Sequence, residues 1–230
     1  MKTFFILCGW LLAVIGGLTT GLVCALTGLI DRSRRVPLFF NRLFARLFLP
    51  ITGIRLKVFG REPIDWDKNY IVCANHQGLF DIFALMAALP LPLRFVSKPF
   101  FFKIPFIGWG MHGSGHVKVT RRHKEKDSRT LREIIRLAEG GASFVMFPEG
   151  TRTRDGRLLP FRAGAFKVAC ESGVPVLPVT IRGSFERMKK GRFLPIPGTI
   201  EIHLHPAIES RRHSIESLSE ATRAAILSNF

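Results

Sequence analysis

Tyr70-Ile71-Val72-Cys73-Ala74-Asn75-His76-Gln77-Gly78-Leu79-Phe80-Asp81 is the stretch whose reading decides the fold. Tyr70 to Ala74 carry no charge and include β-branched Ile71 and Val72. Such a run reads as a short strand buried in a sheet. Asp81 to Leu89 reads as a helix, with Asp81 near its start and Pro90 after its end. His76 therefore falls at the carboxyl end of a strand, where α/β proteins place their chemistry. Imidazole titrates near neutrality, and a carboxylate on one ring nitrogen fixes the tautomer and leaves the other as a base. His76 and Asp81 are thus a candidate general base and its orienting partner. The spacing alone leaves open a histidine that merely caps the strand.

A second strand end repeats the arrangement. Ser143 to Phe147 form an apolar run, and Pro148-Glu149-Gly150-Thr151-Arg152 follow it. Gly150 permits an unusual backbone angle or a close approach. Arg152 can grip a phosphate with two parallel hydrogen bonds. Glu149 either binds a substrate hydroxyl or pairs with an arginine. Arg154 and Arg157 are exposed alternatives for the phosphate. The chain has no G-x-S-x-G elbow, and no serine or cysteine stands out as a nucleophile. The base at His76 then acts on the substrate's own hydroxyl, in direct transfer without a covalent intermediate.

Outward from these motifs, helices and strands alternate. Arg94 to Ser97 is a strand candidate. Leu131, Ile134, Ile135 and Ala138 have helical spacing, closed by Gly140-Gly141. Ala163 to Glu171 form a helix closed by Gly173, Val176 to Ile181 a strand, and Ser217 to Leu227 a terminal helix. Thr199 to Leu204 alternate, which marks an edge strand or one with a single buried face. The alternation predicts one α/β domain, a mostly parallel or mixed sheet flanked by helices. Arg121-Arg122-His123-Lys124-Glu125-Lys126 reads as a solvated, charge-dense loop.

The amino-terminal part has a different character. Phe4 to Ile30 contain no charged side chain, long enough either to cross a bilayer or, softened by Gly16-Gly17 and Gly21, to enter one leaflet as a hairpin. Pro37 to Pro50 read as an amphipathic helix over 37–49 lying in the headgroup layer. Leu38, Phe39, Phe40, Leu43, Phe44, Leu47 and Phe48 form its apolar face, with Asn41, Arg42, Ala45 and Arg46 opposite. Residues 1–52 are then a membrane anchor and 53–230 the α/β domain. Arg32, Arg34, Arg35, Arg42 and Arg46 follow the apolar run, which puts the domain on the cytoplasmic face, as at a bacterial inner membrane. The formal net charge of +17 together with 47% hydrophobic residues fits an anionic membrane surface and not a nucleic-acid partner. Cys8, Cys24, Cys73 and Cys170 lack zinc-ligand spacing and read as small hydrophobes of a reducing compartment, with no disulfide and no metal.

Asn75-His76-x4-Asp81 and Phe147-Pro148-Glu149-Gly150-Thr151-Arg152 resemble the first and third signature blocks of the glycerolipid acyltransferase family, whose best-known members are 1-acylglycerol-3-phosphate acyltransferases. Lys98 through Trp109 resemble the second block, and Val174-Pro175-Val176-Leu177-Pro178-Val179 the fourth. The likeness covers about residues 70 to 181. It implies acyl transfer from acyl-CoA or acyl-carrier protein, as co-substrate, to a lysophosphatidate hydroxyl, with no other cofactor. His76 would be the base and Asp81 its partner. Glu149, Gly150, Thr151 and Arg152 would hold the glycerol-phosphate end, helped by Lys98 and Arg121. The fourth block would support the acyl-donor site or the core beneath it. Pro99-Phe100-Phe101 stand where many members have a Lys-Glu-Leu-like stretch, Val119-Thr120-Arg121 where many have Ile-Asp-Arg, and Gly78-Leu79 replace a small serine. These departures leave the acceptor open to another lysolipid, such as a lyso-ornithine lipid. A catalytically silent lipid-binding protein is the non-enzyme alternative.

Overall fold

The apolar runs become the inner strands of a seven-stranded mixed sheet in the computed structural model. It describes residues 2–62, 64–120, 124–189, 191–192 and 194–230, with backbone alone for 2–7 and 124–127. In chain order the elements are α1 (Lys2–Ile30), α2 (Arg35–Ile51), β1 (Ile54–Phe59), β2 (Ile71–Ala74), α3 (Phe80–Ala88), β3 (Leu93–Ser97), α4 (Ile107–Gly113) and β4 (Val117–Lys118). There follow α5 (Lys124–Glu139), β5 (Ser143–Met146), α6 (Gly164–Ser172), β6 (Val176–Arg182), α7 (Ser184–Met188), β7 (Gly198–Leu204) and α8 (Ile215–Leu227).

The strand order is β1-β7-β6-β2-β5-β3-β4. β6, β2, β5, β3 and β4 run parallel, while β7 pairs antiparallel with β6 and carries β1 parallel to itself. Both faces of the centre are covered. Val72 and Ala74 pack toward α2 and α3, whereas Ile71 and Cys73 pack toward α5, α6 and α8. Double burial is why β2, β5 and β6 show no polar alternation. The chain passes from β2 to one side through α3 and from β5 back over β2 to β6. The carboxyl ends of β2 and β5 therefore meet at a switch in strand order, where α/β sheets leave a crevice.

Several expectations need correction. Of the two alternatives for Thr199 to Leu204, the single buried face is the one found, and β7 lies inside the sheet. The edges are β4 and β1, and in β1 Arg55 and Lys57 alternate with Ile54, Leu56 and Val58. Basic residues there discourage edge-to-edge pairing. The charge-dense stretch is not wholly loop, since α5 begins at Lys124. Helix α6 ends as expected on Gly173 at φ 70.

α1 is one unbroken helix of 29 residues, about 43 Å long, so the hairpin is excluded. Its glycines serve contact, not bending. A Cβ on Gly110 of α4 would stand 2.7 Å from Gly21 Cα, and one on Gly113 would meet the Cys24 carbonyl well inside contact distance. At the far end, a Cβ on Gly9 would meet the Ile51 carbonyl of α2. The helix is therefore docked along the domain from residue 9 to residue 28, with Leu11, Leu12, Ile15, Leu22, Leu26 and Leu29 on its exposed side. Arg34, read as a flanking charge, instead donates to the carbonyls of Gly28 and Gly113 and ties α1 to α4.

α2 differs from its expected form too. It reaches Ile51, with Pro50 inside its last turn, and is gripped on two sides. Phe48 packs on Phe80 and Phe83 of α3 and on Trp10 of α1. Ala45 is fully buried, and Asn41 donates to Ser114 at 2.8 Å, so part of the expected polar face points inward. Val36, Phe39, Leu43, Leu47 and Ile51 remain as an exposed apolar stripe.

Candidate active site

β2 delivers His76 and the start of α3 delivers Asp81. The turn between them folds the side chains together: His76 Nδ1 lies 2.8 Å from Asp81 Oδ2. The same oxygen accepts the backbone N–H of Gln77 at 2.7 Å and of Gly78 at 2.9 Å. Asp81 is fully buried, and three donors converge on this one oxygen. A carboxylate only accepts, so Nδ1 carries the proton and Nε2 is the basic nitrogen. The imidazole stacks on Phe147, centroids 3.9 Å apart at 15°, which fixes its plane. Asn75 supports the turn from behind. Its amide donates to Ile181 O at 2.8 Å and accepts from Ile181 N–H at 2.7 Å, pinning the end of β2 to β6. Gly78 has no room for a side chain, because a Cβ there would stand 2.7 Å from Ser184 O of α7.

The Phe147–Arg152 loop closes over this turn. Gly150 takes φ 73, left-handed as its identity allows. Among the described residues, Glu149 neither pairs with an arginine nor lines the crevice. Its Oε1 accepts His76 N–H at 2.6 Å and its Oε2 accepts Leu159 N–H at 2.8 Å. Thr153 N–H also bonds His76 O at 3.0 Å. Glu149 is thus a strut that fixes the backbone at His76, with both of its carboxylate oxygens engaged by amides. Burial pushes its carboxyl up to about 7, against the pull of the Leu159 and His76 amides and with a further push from Asp81.

That raised value has a consequence for stability. The folded chain holds this proton more tightly than the unfolded one, so the contribution is full below the unfolded value of 4.5 and is lost as pH rises through about 7. Relative to Glu149→Gln, the unfolding free energy of the wild type should fall by on the order of 3 kcal/mol across that window. Urea denaturation of both proteins at stepped pH measures the difference.

His76 opens on a cleft of about 670 Å³ over the carboxyl ends of β2, β5 and β3. Leu79, Ile82, Phe95, Ile134 and Met146 give it an apolar wall. Gly150, Thr151, Arg152 and Lys98 line it, and the amino end of α6 opens on it at Gly164 and Ala165. Arg162 lines it as well, a cation that motif reading missed. Its N–H bonds Pro148 O at 2.9 Å, which brings it back beside the Glu149 turn. Arg154 is exposed outside the lining, and Arg157 lies beside Asp155 at 3.8 Å. Arg121 falls outside the described residues. Phe100 and Phe101 of the second block line the cleft and are also exposed.

The sequence profile of the Acyltransferase family matches residues 55–182, which include His76, Asp81 and Arg152. A 1-acyl-sn-glycerol-3-phosphate acyltransferase of Chlamydomonas reinhardtii is 36% identical over 177 residues, 76% of this chain and 53% of the relative. A chloroplastic one of Brassica napus is 37% identical over 167 residues, 71% of this chain and 47% of the relative. The chain thus spans about half the length of these relatives. The corresponding enzyme of Escherichia coli K12 is 32% identical over 184 residues, 79% of this chain and 73% of its own. The crystal structure of the 1-acyl-sn-glycerophosphate acyltransferase PlsC from Thermotoga maritima superposes with a TM-score of 0.85 at 29% identity. It covers 97% of this chain and 92% of that one. With the profile spanning more than half of its residues and a solved relative matching nearly all of its fold, this chain belongs to the acyltransferase family.

Proposed function

We propose that the chain transfers an acyl group from a thioester, acyl-CoA or acyl-carrier protein, to the free hydroxyl of 1-acylglycerol-3-phosphate, forming phosphatidate. The observation that carries this reading is the His76–Asp81 pair opening on a cleft that joins an apolar wall to Lys98, Arg152 and Arg162. An acyl chain fits the wall and a phosphate fits the cations. His76 Nε2 takes the hydroxyl proton as the oxygen attacks the thioester carbon. The imidazolium is stabilised by Asp81, and it returns the proton to the thiolate when the carbon–sulfur bond breaks. The balance closes with no cofactor.

The chain is read as a membrane protein lying in one leaflet. Leu12 and Leu26 of α1, Phe39 and Leu47 of α2, and Phe106 and Trp109 of α4 and its lead-in expose the apolar surface that enters it. Phe100 and Phe101 join that surface to the cleft, so a lysolipid slides in without leaving the bilayer.

Purified protein assayed with both donors against a panel of lysolipids tests the reading. Lysophosphatidate should be the best acceptor. Turnover of another lysolipid with lysophosphatidate inert would refute it. Arg152→Ala should raise KM for lysophosphatidate by about 10- to 100-fold with a smaller change in kcat, as loss of a charge-assisted phosphate contact requires.

A further inference from the structure

A second groove lies at the opposite end of the sheet from the catalytic cleft. Asn69 and Ser143, at the amino ends of β2 and β5, line it together with Pro90 to Pro92 before β3 and the outer side of α2. Its volume is about 370 Å³. Three cations reach it, Arg35, Arg42 and Lys68, against one carboxylate, Asp67.

Arg42 is the unusual member. Its Nε is buried and finds no hydrogen-bond partner among the described residues. The neighbouring guanidinium groups do not neutralise it. Arg46 donates to Ala87 O and Arg61 to Ala88 O, and both add positive charge beside it. Burial first, and then these two charges, hold the Arg42 guanidinium below its ordinary value. Lys68 lies 3.7 Å from Asp65, but both are exposed, and such a pair is weak enough to exchange. Asp67 is exposed and forms no ion pair with Arg42. A partly buried guanidinium whose buried Nε has no acceptor among the described residues, set among like charges, is a place where an anion would be stabilised.

The rest of the lining says which anion. Leu38, Phe39, Trp66 and Leu91 give the groove an apolar wall. Phe39 is 60% exposed and belongs to the same α2 stripe as Val36, Leu43 and Leu47. A free inorganic anion would use Arg42 and leave this wall wet. An amphiphile uses both, its phosphate at Arg42 and its chains along Phe39.

We propose that this groove binds the phosphate of an anionic membrane phospholipid as a second lipid site, separate from the catalytic cleft. It holds the amino end of α2 at headgroup depth. The inference does not depend on the acyl-transfer reading, since the groove shares no residue with the cleft.

The experiment uses the full chain and vesicles of phosphatidylcholine with or without phosphatidylglycerol, and compares wild type, Arg42→Gln and Arg132→Gln. Arg132 is exposed on α5, on the other face of the sheet, and controls for net charge. Loss of any one surface charge weakens anionic-membrane binding by about fivefold at most. Arg42→Gln should exceed that, at about tenfold or more. Equal losses in the two variants would overturn the site. Should Arg42→Gln fail to fold, exposed Lys68→Gln serves in its place, with a loss larger than that of Arg132→Gln. Thermal unfolding separates the sources of phosphate. Monomeric short-chain phosphatidylglycerol should raise Tm in wild type but not in the variant, with inorganic phosphate at equal concentration giving no such rise. An equal, Arg42-dependent rise with phosphate would overturn the assignment to a lipid.

Discussion

On the proposed mechanism, His76→Ala should lower kcat for acyl transfer by about 10³- to 10⁴-fold, the upper range for loss of a general base that is both positioned and oriented. Folding survives, because Asp81 Oδ2 still accepts the Gln77 and Gly78 amides. Asp81 separates charge from architecture. In Asp81→Asn the two amides select the side-chain oxygen for their side and turn the NH2 toward the position of Oδ1, which has no partner now. The turn and the Nδ1–H tautomer persist, but the negative charge facing the imidazolium is gone. kcat should fall by about 10²- to 10³-fold, at a stability loss of about 1–3 kcal/mol for the unpartnered NH2. Asp81→Ala instead orphans two buried N–H groups and should cost about twice as much stability. Single-turnover kinetics and urea unfolding on the three variants read the split. Near-normal turnover in His76→Ala would remove the pair from the chemistry.

Gly113→Val separates α1 from the domain. A Cβ at Gly113 falls inside contact distance of the Cys24 carbonyl and 2.8 Å from Ala25 Cα, and both are backbone atoms of a helix that cannot yield locally. Overpacking of this kind costs about 3 kcal/mol or more. Gly164→Ala is the control. A Cβ there meets nothing within 4 Å, and the change should be neutral or slightly stabilising. Urea unfolding gives the two values, and limited proteolysis reports whether α1 has come away. A Gly113→Val protein within about 0.5 kcal/mol of wild type would mean that the close α1–α4 contact does not stabilise the fold.

The parts legible from sequence were those whose cause is local. Ile71-Val72-Cys73 reads as an inner strand because burial on both faces removes polar alternation, and Gly173 ends α6 because few other residues adopt φ 70 cheaply. His76 and Asp81 were legible because five residues across a strand–helix turn bring them together. What escaped has non-local causes. β1 alternates in plain sight, yet its place at the sheet edge depends on β7, some 140 residues later. Helix α4 has only seven residues, three of them glycines, and is held by α1. Arg162 belongs to the cleft because its backbone returns to Pro148 O. Glu149 sits in a motif that invites a substrate role, but its partners are two amides 73 and 10 residues away.

The amphipathic reading of α2 shows the same division. Periodicity finds an apolar face and cannot say what covers it. In the folded chain α1 and α3 cover part of that face, which leaves Phe39, Leu43 and Leu47 exposed and brings Arg42 into a groove. Sequence alone determined the identity and order of the chemical groups, the strands that present them and the apolar character of the first thirty residues, since each follows from composition and spacing within a few residues. Only tertiary structure decided which acid pairs with His76 and which is a strut, which glycines are contacts, and which arginines line a cleft. Those roles depend on what approaches each group from distant parts of the chain, and burial and partner geometry exist only once the chain has closed on itself.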